Sequence, residues 1–293
     1  MPTITPHLWF DKEAVEAADF YTATFPGSKV TDVSKLTDTP SGDCDIVSFE
    51  LLGQPFMAIS AGPLFRFTPA VSFLVRCPTA DRVDELWNAL SEGGEALMPV
   101  DSYPFSDRYG WTTDRYGLSW QLIHEAGAEI DQAIVPSLLF VGDVCGKAQE
   151  AAEHYAEVFP SSSVDRLARS VAGEAPDRPA TVEQLFVSLD GYEIAAMDSD
   201  YDHQFGFNES ISFMVRCESQ DEIDRYWDAL SAVPEAEQCG WLKDRFGVSW
   251  QIIPARLHEL LESGTDEQRA RVTQAFLQMK KFDVAELERA AAG

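Results

Sequence analysis

"GWTTDRYGLSWQLI" occupies Gly110 to Ile123, and "GWLKDRFGVSWQII" occupies Gly240 to Ile253. The Gly-Trp pair, the Asp-Arg pair, Gly, Ser-Trp-Gln and the closing Ile all return 130 positions later at the same spacing. Chance explains this poorly. The phrase marks an internal duplication, and a duplication that goes unnoticed misassigns the whole fold.

The repeat extends outward from that phrase. "TPHLWF" (Thr5 to Phe10) returns as "VPSLLF" (Val135 to Phe140), and "FYTATFPGSKV" (Phe20 to Val30) returns as "HYAEVFPSSSV" (His154 to Val164). "LLGQPFMAIS" (Leu51 to Ser60) matches "LDGYEIAAMD" (Leu189 to Asp198), and "FRFTPAVSFLVRC" (Phe65 to Cys77) matches "FGFNESISFMVRC" (Phe205 to Cys217). "VDELWNALS" (Val83 to Ser91) matches "IDRYWDALS" (Ile223 to Ser231) at an offset of 140. The offset is back to 130 at Gly110, so the first copy carries about ten extra residues after Ser91, among them Tyr103, Pro104, Phe105 and Tyr109. The chain thus divides into a first domain at 1–126, a linker at 127–133, a second domain at 134–254 and a tail at 255–293.

Within each copy the hydrophobic period alternates in a fixed order. Thr3 to Phe10 reads as a strand, and Glu13 to Phe25 puts Ala14, Ala18, Tyr21 and Phe25 on one helical face, ended by Pro26-Gly27. Short strands follow near 29–35, 45–52 and 54–60. The order then restarts. Ala70 to Cys77 is a strand, and Ala80 to Ser91 is a helix with Val83, Leu86, Trp87 and Leu90 on one face. The closing strands flank the turn Asp114-Arg115-Tyr116-Gly117, where the glycine suits a positive φ. Four strand-helix-strands modules are predicted, making the fold class α+β. The tail predicts a helix over Ala255 to Ser263, a second begun by the capping box Thr265-x-x-Gln268, and a third begun by Asp283-x-x-Glu286.

Composition narrows the function. Forty-nine acidic residues against 22 basic ones give a net charge of −27, which repels phosphate backbones and anionic membranes. Nucleic acid and membrane are therefore not expected as partners. No apolar run approaches the roughly 20 residues of a membrane span, and the N-terminus does not read as a signal peptide, so a cytoplasmic location is expected. The five cysteines, Cys44, Cys77, Cys145, Cys217 and Cys239, are odd in number and form no C-x-x-C pair. They predict neither a disulfide framework nor a zinc site.

Paired modules, "FYxxxFP" after the first helix, "ISFxVxC" before the second and "GWxxDxxGxSWQI" at the end together resemble the vicinal oxygen chelate superfamily, which includes glyoxalases and bleomycin-resistance proteins. The closest resemblance is to its PhnB-like branch, often labelled 3-demethylubiquinone 3-methyltransferase-like. It implies cupped sheets with helices outside and a cavity in which many members hold a divalent metal, while others bind a small molecule without one. Carried onto this chain, the resemblance puts the metal-ligand positions at Thr5, Ala58 or Ser60, Ala70 and Gln121, and in the second copy at Val135, Met197 or Asp198, Ser210 and Gln251. At most one of these in the second copy is a carboxylate, a set that poorly suits a transition metal. No metal and no cofactor is therefore expected.

If Thr5 points inward, alternation sends His7 and Trp9 the same way. Ala70 brings Ser72, Leu74 and Arg76, and Gln121 brings Ser119, with Ser137, Ser212, Ser249 and Gln251 among the repeat partners. This wall is apolar with a few polar groups, as small-molecule pockets are. His7 is the candidate catalytic base, with a hydrogen-bonded core histidine as the alternative. Trp9, Ser72, Leu74, Arg76, Gln121 and Gln251 are candidate ligand contacts, although the glutamines could equally bond across the domain centre. Tyr103 and Phe105 join them if the insertion is a lid; it reads equally well as a strand pair at an interface.

The expected function is metal-independent binding, or minor conversion, of a small and partly hydrophobic molecule. Two alternatives stand: a glyoxalase- or dioxygenase-type enzyme with atypical ligands such as Asp198, and a non-catalytic interaction protein. The duplication predicts a monomer with an internal pseudo-dimer, or a homodimer. Methyl transfer requires a nucleotide-cofactor loop, but "EGGEA" follows a helix and reads as a cap and turn.

Overall fold

The computed structural model describes residues 4–39, 42–127, 130–169 and 182–293. Its elements follow the modular order read from the sequence. The first module holds β1 (Ile4–Phe10), α1 (Ala14–Thr24), β2 (Lys29–Thr39), β3 (Gly42–Leu51) and β4 (Gln54–Ser60). The second holds β5 (Val71–Cys77), α2 (Ala80–Leu90), β6 (Ala96–Tyr103), β7 (Ser106–Thr113) and β8 (Ser119–His124). The third holds β9 (Ile134–Phe140), α3 (Ala148–Val158), β10 (Ser163–Arg169), β11 (Val182–Leu189) and β12 (Tyr192–Asp198). The fourth is one strand shorter, with β13 (Ile211–Cys217), α4 (Gln220–Leu230), β14 (Trp241–Lys243) and β15 (Ser249–Pro254). Helices α5 (Ala255–Ser263), α6 (Asp266–Phe276) and α7 (Val284–Ala292) form the tail, so the chain is α+β with a helical C-terminal segment. No helix among the described residues is long and apolar enough to cross a membrane.

Local chemistry explains the boundaries. Thr79 and Ser219 stand in equivalent places and cap α2 and α4 by accepting from the backbone N–H groups of Arg82 and Glu222. The apolar stripes behind them, Val83, Leu86 and Leu90 in α2 and Ile223, Tyr226, Trp227 and Leu230 in α4, are buried. In the tail, Thr265 and Gln268 form the expected reciprocal cap, and Asp283 accepts from Glu286 N at 2.9 Å.

The repeated phrase is a turn locked by its aspartate. Asp114 Oδ1 accepts from Tyr116 N at 2.8 Å and Leu118 N at 3.0 Å, while Oδ2 accepts from Trp120 Nε1 at 2.9 Å. Asp244 does the same with Phe246 N, Val248 N and Trp250 Nε1 at 2.8, 3.0 and 2.9 Å. Asp, Gly and Trp recur together because one buried carboxylate ties the turn to the core.

The chain forms two compact units, Leu8–Ile211 and a smaller one made of Met1–His7 with Ser212–Gly293. Strand β1 gives residues to both. The larger unit contains an open eight-stranded sheet in the order β10-β11-β12-β9-β5-β8-β7-β6. Its centre runs β9 antiparallel to β5, with β12 parallel to β9 and β8 parallel to β5. The sheet therefore joins the third module to the second, one from each sequence copy. Helices α3 and α2 pack on its strands, and α1 packs on the β2-β3-β4 antiparallel group of the first module.

In the smaller unit β15 lies between β14 and β13. The first copy covers its β7 edge with β6, pairing Asp101 with Tyr109. The second copy lacks that insertion, and the tail takes its place. Cys239 N donates to Met279 O and Gly240 N to Lys280 O, both at 2.8 Å. Gly240 has φ +83, and a Cβ there would stand 2.4 Å from the Phe282 ring. The approach of the tail thus requires glycine.

Candidate functional site

In the larger unit, register aligns Ser119, Ser72, Ser137 and Ala195 in one row across β8, β5, β9 and β12. All four side chains in the row are small. Ala195 of this row joins Leu74, Tyr109, Val135 and Phe186 in a buried apolar cluster. A chain of hydrogen bonds crosses it: the Tyr109 hydroxyl donates to Gln121 Oε1, and Gln121 Nε2 donates to Ser72 Oγ, both at 2.7 Å. Burial pushes the Tyr109 phenol up, so it stays protonated and donates. Trp111 Nε1 donates to Ser119 Oγ at 2.8 Å. Ser137, 1% exposed, has no partner for its Oγ among the described residues.

The same arrangement recurs in the smaller unit with different occupants. Just inside the larger unit, two residues after His7 and two before Ser212, Trp9 N donates to Ser210 O at 2.8 Å, as Leu139 N donates to Ala70 O at the same distance. This equivalence puts His7 across from Ser212, as Ser137 is across from Ser72. Gln251 Nε2 donates to Ser212 Oγ at 2.9 Å, repeating the Gln121–Ser72 bond. His7 meets the Trp241 ring edge-on at 5.5 Å. His7 Nδ1 and Ser249 Oγ are buried without partners among the described residues. Burial lowers the His7 pKa to about 4, so the ring is neutral at pH 7.

The remaining sequence candidates lie apart from these faces or are tied down. Arg76 pairs with Glu193, lies 3.4 Å from Glu125 Oε1 and stacks 5.1 Å over Phe186, while Gln132 holds Glu193 by two backbone bonds. Trp9 donates to Gly62 O at 2.8 Å and, with Phe65, Glu16 and Tyr116, lines a surface groove of about 820 Å³ in the larger unit. The insertion is the strand pair β6–β7 at the sheet edge. Tyr103 packs against the apolar cluster and stacks on Phe105, which is 61% exposed at the hairpin tip.

The donors do not suit a divalent transition metal. Asp198, the single carboxylate among the positions expected from the resemblance, accepts from Gly146 N, Ala148 N and Val182 N at 2.7, 3.2 and 2.9 Å. It holds the start of α3. Ser60, its repeat partner, does this for α1 by accepting from Ala14 N at 3.2 Å. Gln121 and Gln251 are bonded to serines. Among the described residues no three His, Cys, Asp or Glu side chains converge.

Sequence reasoning passed over Tyr109, Trp111 and Trp241 as site residues. The signal was present: Tyr109 and Trp111 alternate on one strand, and Trp111 and Trp241 stand in register with the two glutamines.

The family described as 3-demethylubiquinone-9 3-methyltransferase matches residues 2–123 and again 132–253. A PhnB protein of Bacillus cereus is 38% identical over 42% of this chain and 100% of its own, with a TM-score of 0.40. A protein of Pseudomonas aeruginosa is 23% identical over 41% of this chain and 95% of its own, with a TM-score of 0.37. A point variant of glyoxalase I from Zea mays is 9% identical over 86% of this chain and 93% of its own; its TM-score of 0.53 speaks to the fold alone. No curated protein matches.

Proposed function

The chain belongs to the 3-demethylubiquinone-9 3-methyltransferase family, the PhnB-like branch of the vicinal oxygen chelate superfamily, and from that premise we propose that it binds a small, partly hydrophobic molecule on its sheet faces without a metal ion. One observation carries the reading. His7 Nδ1 and Ser137 Oγ stand at the same repeat position, both buried and both without a partner among the described residues. Each stands across from a serine held by a glutamine. A buried polar group without a partner costs about 1–3 kcal/mol, and a ligand that supplied one would recover that.

His7 serves in this reading as a ligand contact. With its pKa lowered to about 4 it is a weak base at neutral pH. The methyl transfer in the family description is not adopted, because the Gly93-Gly94 pair has a structural explanation. It follows α2, and a Cβ on Gly94 would stand 1.9 Å from Thr113 O. Asp198 is already committed to three backbone donors, which favours the metal-free reading over an atypical metal site.

The test is a thermal-shift screen of neutral and anionic aromatic compounds, each run with EDTA and with Zn, Mn or Ni. A ligand at about 100 times its Kd stabilises by about 2.7 kcal/mol. The reading expects a rise of the midpoint in EDTA. A rise that occurs only with a divalent metal overturns it.

A further inference from the structure

The two faces are not equally filled. In the larger unit Tyr109 supplies its own phenol: the ring lies in the apolar cluster and the hydroxyl satisfies Gln121 Oε1 at 2.7 Å. The repeat places Cys239 at that position in the second copy. Cys239 has φ +51, and its Sγ turns toward the tail, 3.6 Å from Phe276 O. Gln251 keeps its bond to Ser212, and no donor meets its Oε1 among the described residues. Ser249 loses the indole donor that Ser119 has in Trp111, leaving its Oγ orphaned. Met214 is half-buried where its counterpart Leu74 is 2% exposed. His7, Ser249 and Gln251 are 6%, 1% and 5% exposed, so these polar atoms belong to a built interior surface.

We propose that the face formed by His7, Ser212, Trp241, Ser249 and Gln251 binds a phenolic small molecule, in the place that the Tyr109 side chain takes in the larger unit. The proposal rests on the metal-free binding reading and gives it a ligand class and one location. The phenol hydroxyl donates to Gln251 Oε1, as the Tyr109 hydroxyl does to Gln121. The ring lies against Trp241 and Met214, and His7 Nδ1 and Ser249 Oγ take further polar substituents. The larger unit carries its phenol covalently, so a chain binds one equivalent.

The probe is phenol itself, titrated calorimetrically into the full chain, with toluene as the same ring lacking the hydroxyl. The expected result is one saturable equivalent of phenol and at least about tenfold weaker binding of toluene, the effect of one lost hydrogen bond in a dry site. Gln251→Leu is expected to lose about the same factor. Tyr109→Ala, which vacates the equivalent place, is expected to bind a second equivalent. No phenol binding, or equal affinity for toluene, overturns the phenol assignment without recourse to any variant. Unchanged binding by Gln251→Leu overturns the location, and a Tyr109→Ala variant that still binds one equivalent overturns the analogy between the faces. Phenol binding abolished by EDTA overturns the metal-free reading beneath the proposal.

Discussion

The Tyr109 hydroxyl donates across 2.7 Å to Gln121 Oε1, linking the inserted hairpin to the centre of the eight-stranded sheet. Tyr109→Phe keeps the ring and removes the donor, leaving the amide oxygen buried and unsatisfied. A loss of about 1–2 kcal/mol is expected, read from the urea midpoint at unchanged m-value. A variant as stable as the wild type would show that the bond contributes nothing.

Acid sensitivity should trace to His7. Its folded-state pKa of about 4 lies below the 6.5 of an unperturbed histidine, so the unfolded chain binds the proton more readily. The stability from keeping it neutral is complete above pH 6.5 and is lost as pH falls toward about 4. Over that window the wild type should lose up to about 3 kcal/mol that a His7→Gln variant keeps. Parallel stability curves for the two proteins between pH 4 and 7 would contradict the burial of a neutral ring.

Gly240 and Gly117 both have positive φ, +83 and +85, but only Gly240 faces an obstacle. Gly117→Ala meets nothing within 4 Å and should cost about 1 kcal/mol for backbone strain alone. Gly240→Ala adds the clash with Phe282 and should cost about 2–4 kcal/mol. Chemical denaturation followed by tryptophan fluorescence separates them, and equal losses would mean that the tail does not press on this edge.

Asp198→Ala removes an acceptor from three backbone N–H groups and should destabilise the protein by about 2–3 kcal/mol. Ligand-induced thermal shifts, measured relative to the variant's own midpoint, should be unchanged. Loss of a bound metal together with those shifts would instead assign Asp198 to a metal site.

Much of the architecture was legible because it depends on local periodicity and short-range caps. The stripe Val83, Leu86, Leu90, the Thr265–Gln268 box and the Asp114 turn each lie within one element and its flanks. The pairing of β9 with β5 was not legible, since alternation states which side chains share a face and not which strand lies beside which. Ser60 and Asp198 were read as ligand positions because their acceptor role toward α1 and α3 depends on backbone brought near from about 46 to 52 residues away. Tyr109 was hidden by belonging to an insertion that fitted either a lid or a strand pair. The tail's role at Cys239 and Gly240 is carried by backbone hydrogen bonds, which leave no trace in side-chain pattern.

The union of β5 from one copy with β9 from the other has a consequence for how this protein comes together. The seam at the middle of the eight-stranded sheet forms within one molecule because the chain runs on from β8 to β9 and keeps the two sequence copies covalently joined. Severing the chain between β8 and β9 would change a first-order folding reaction into a bimolecular encounter, and the midpoint of unfolding would then rise with protein concentration.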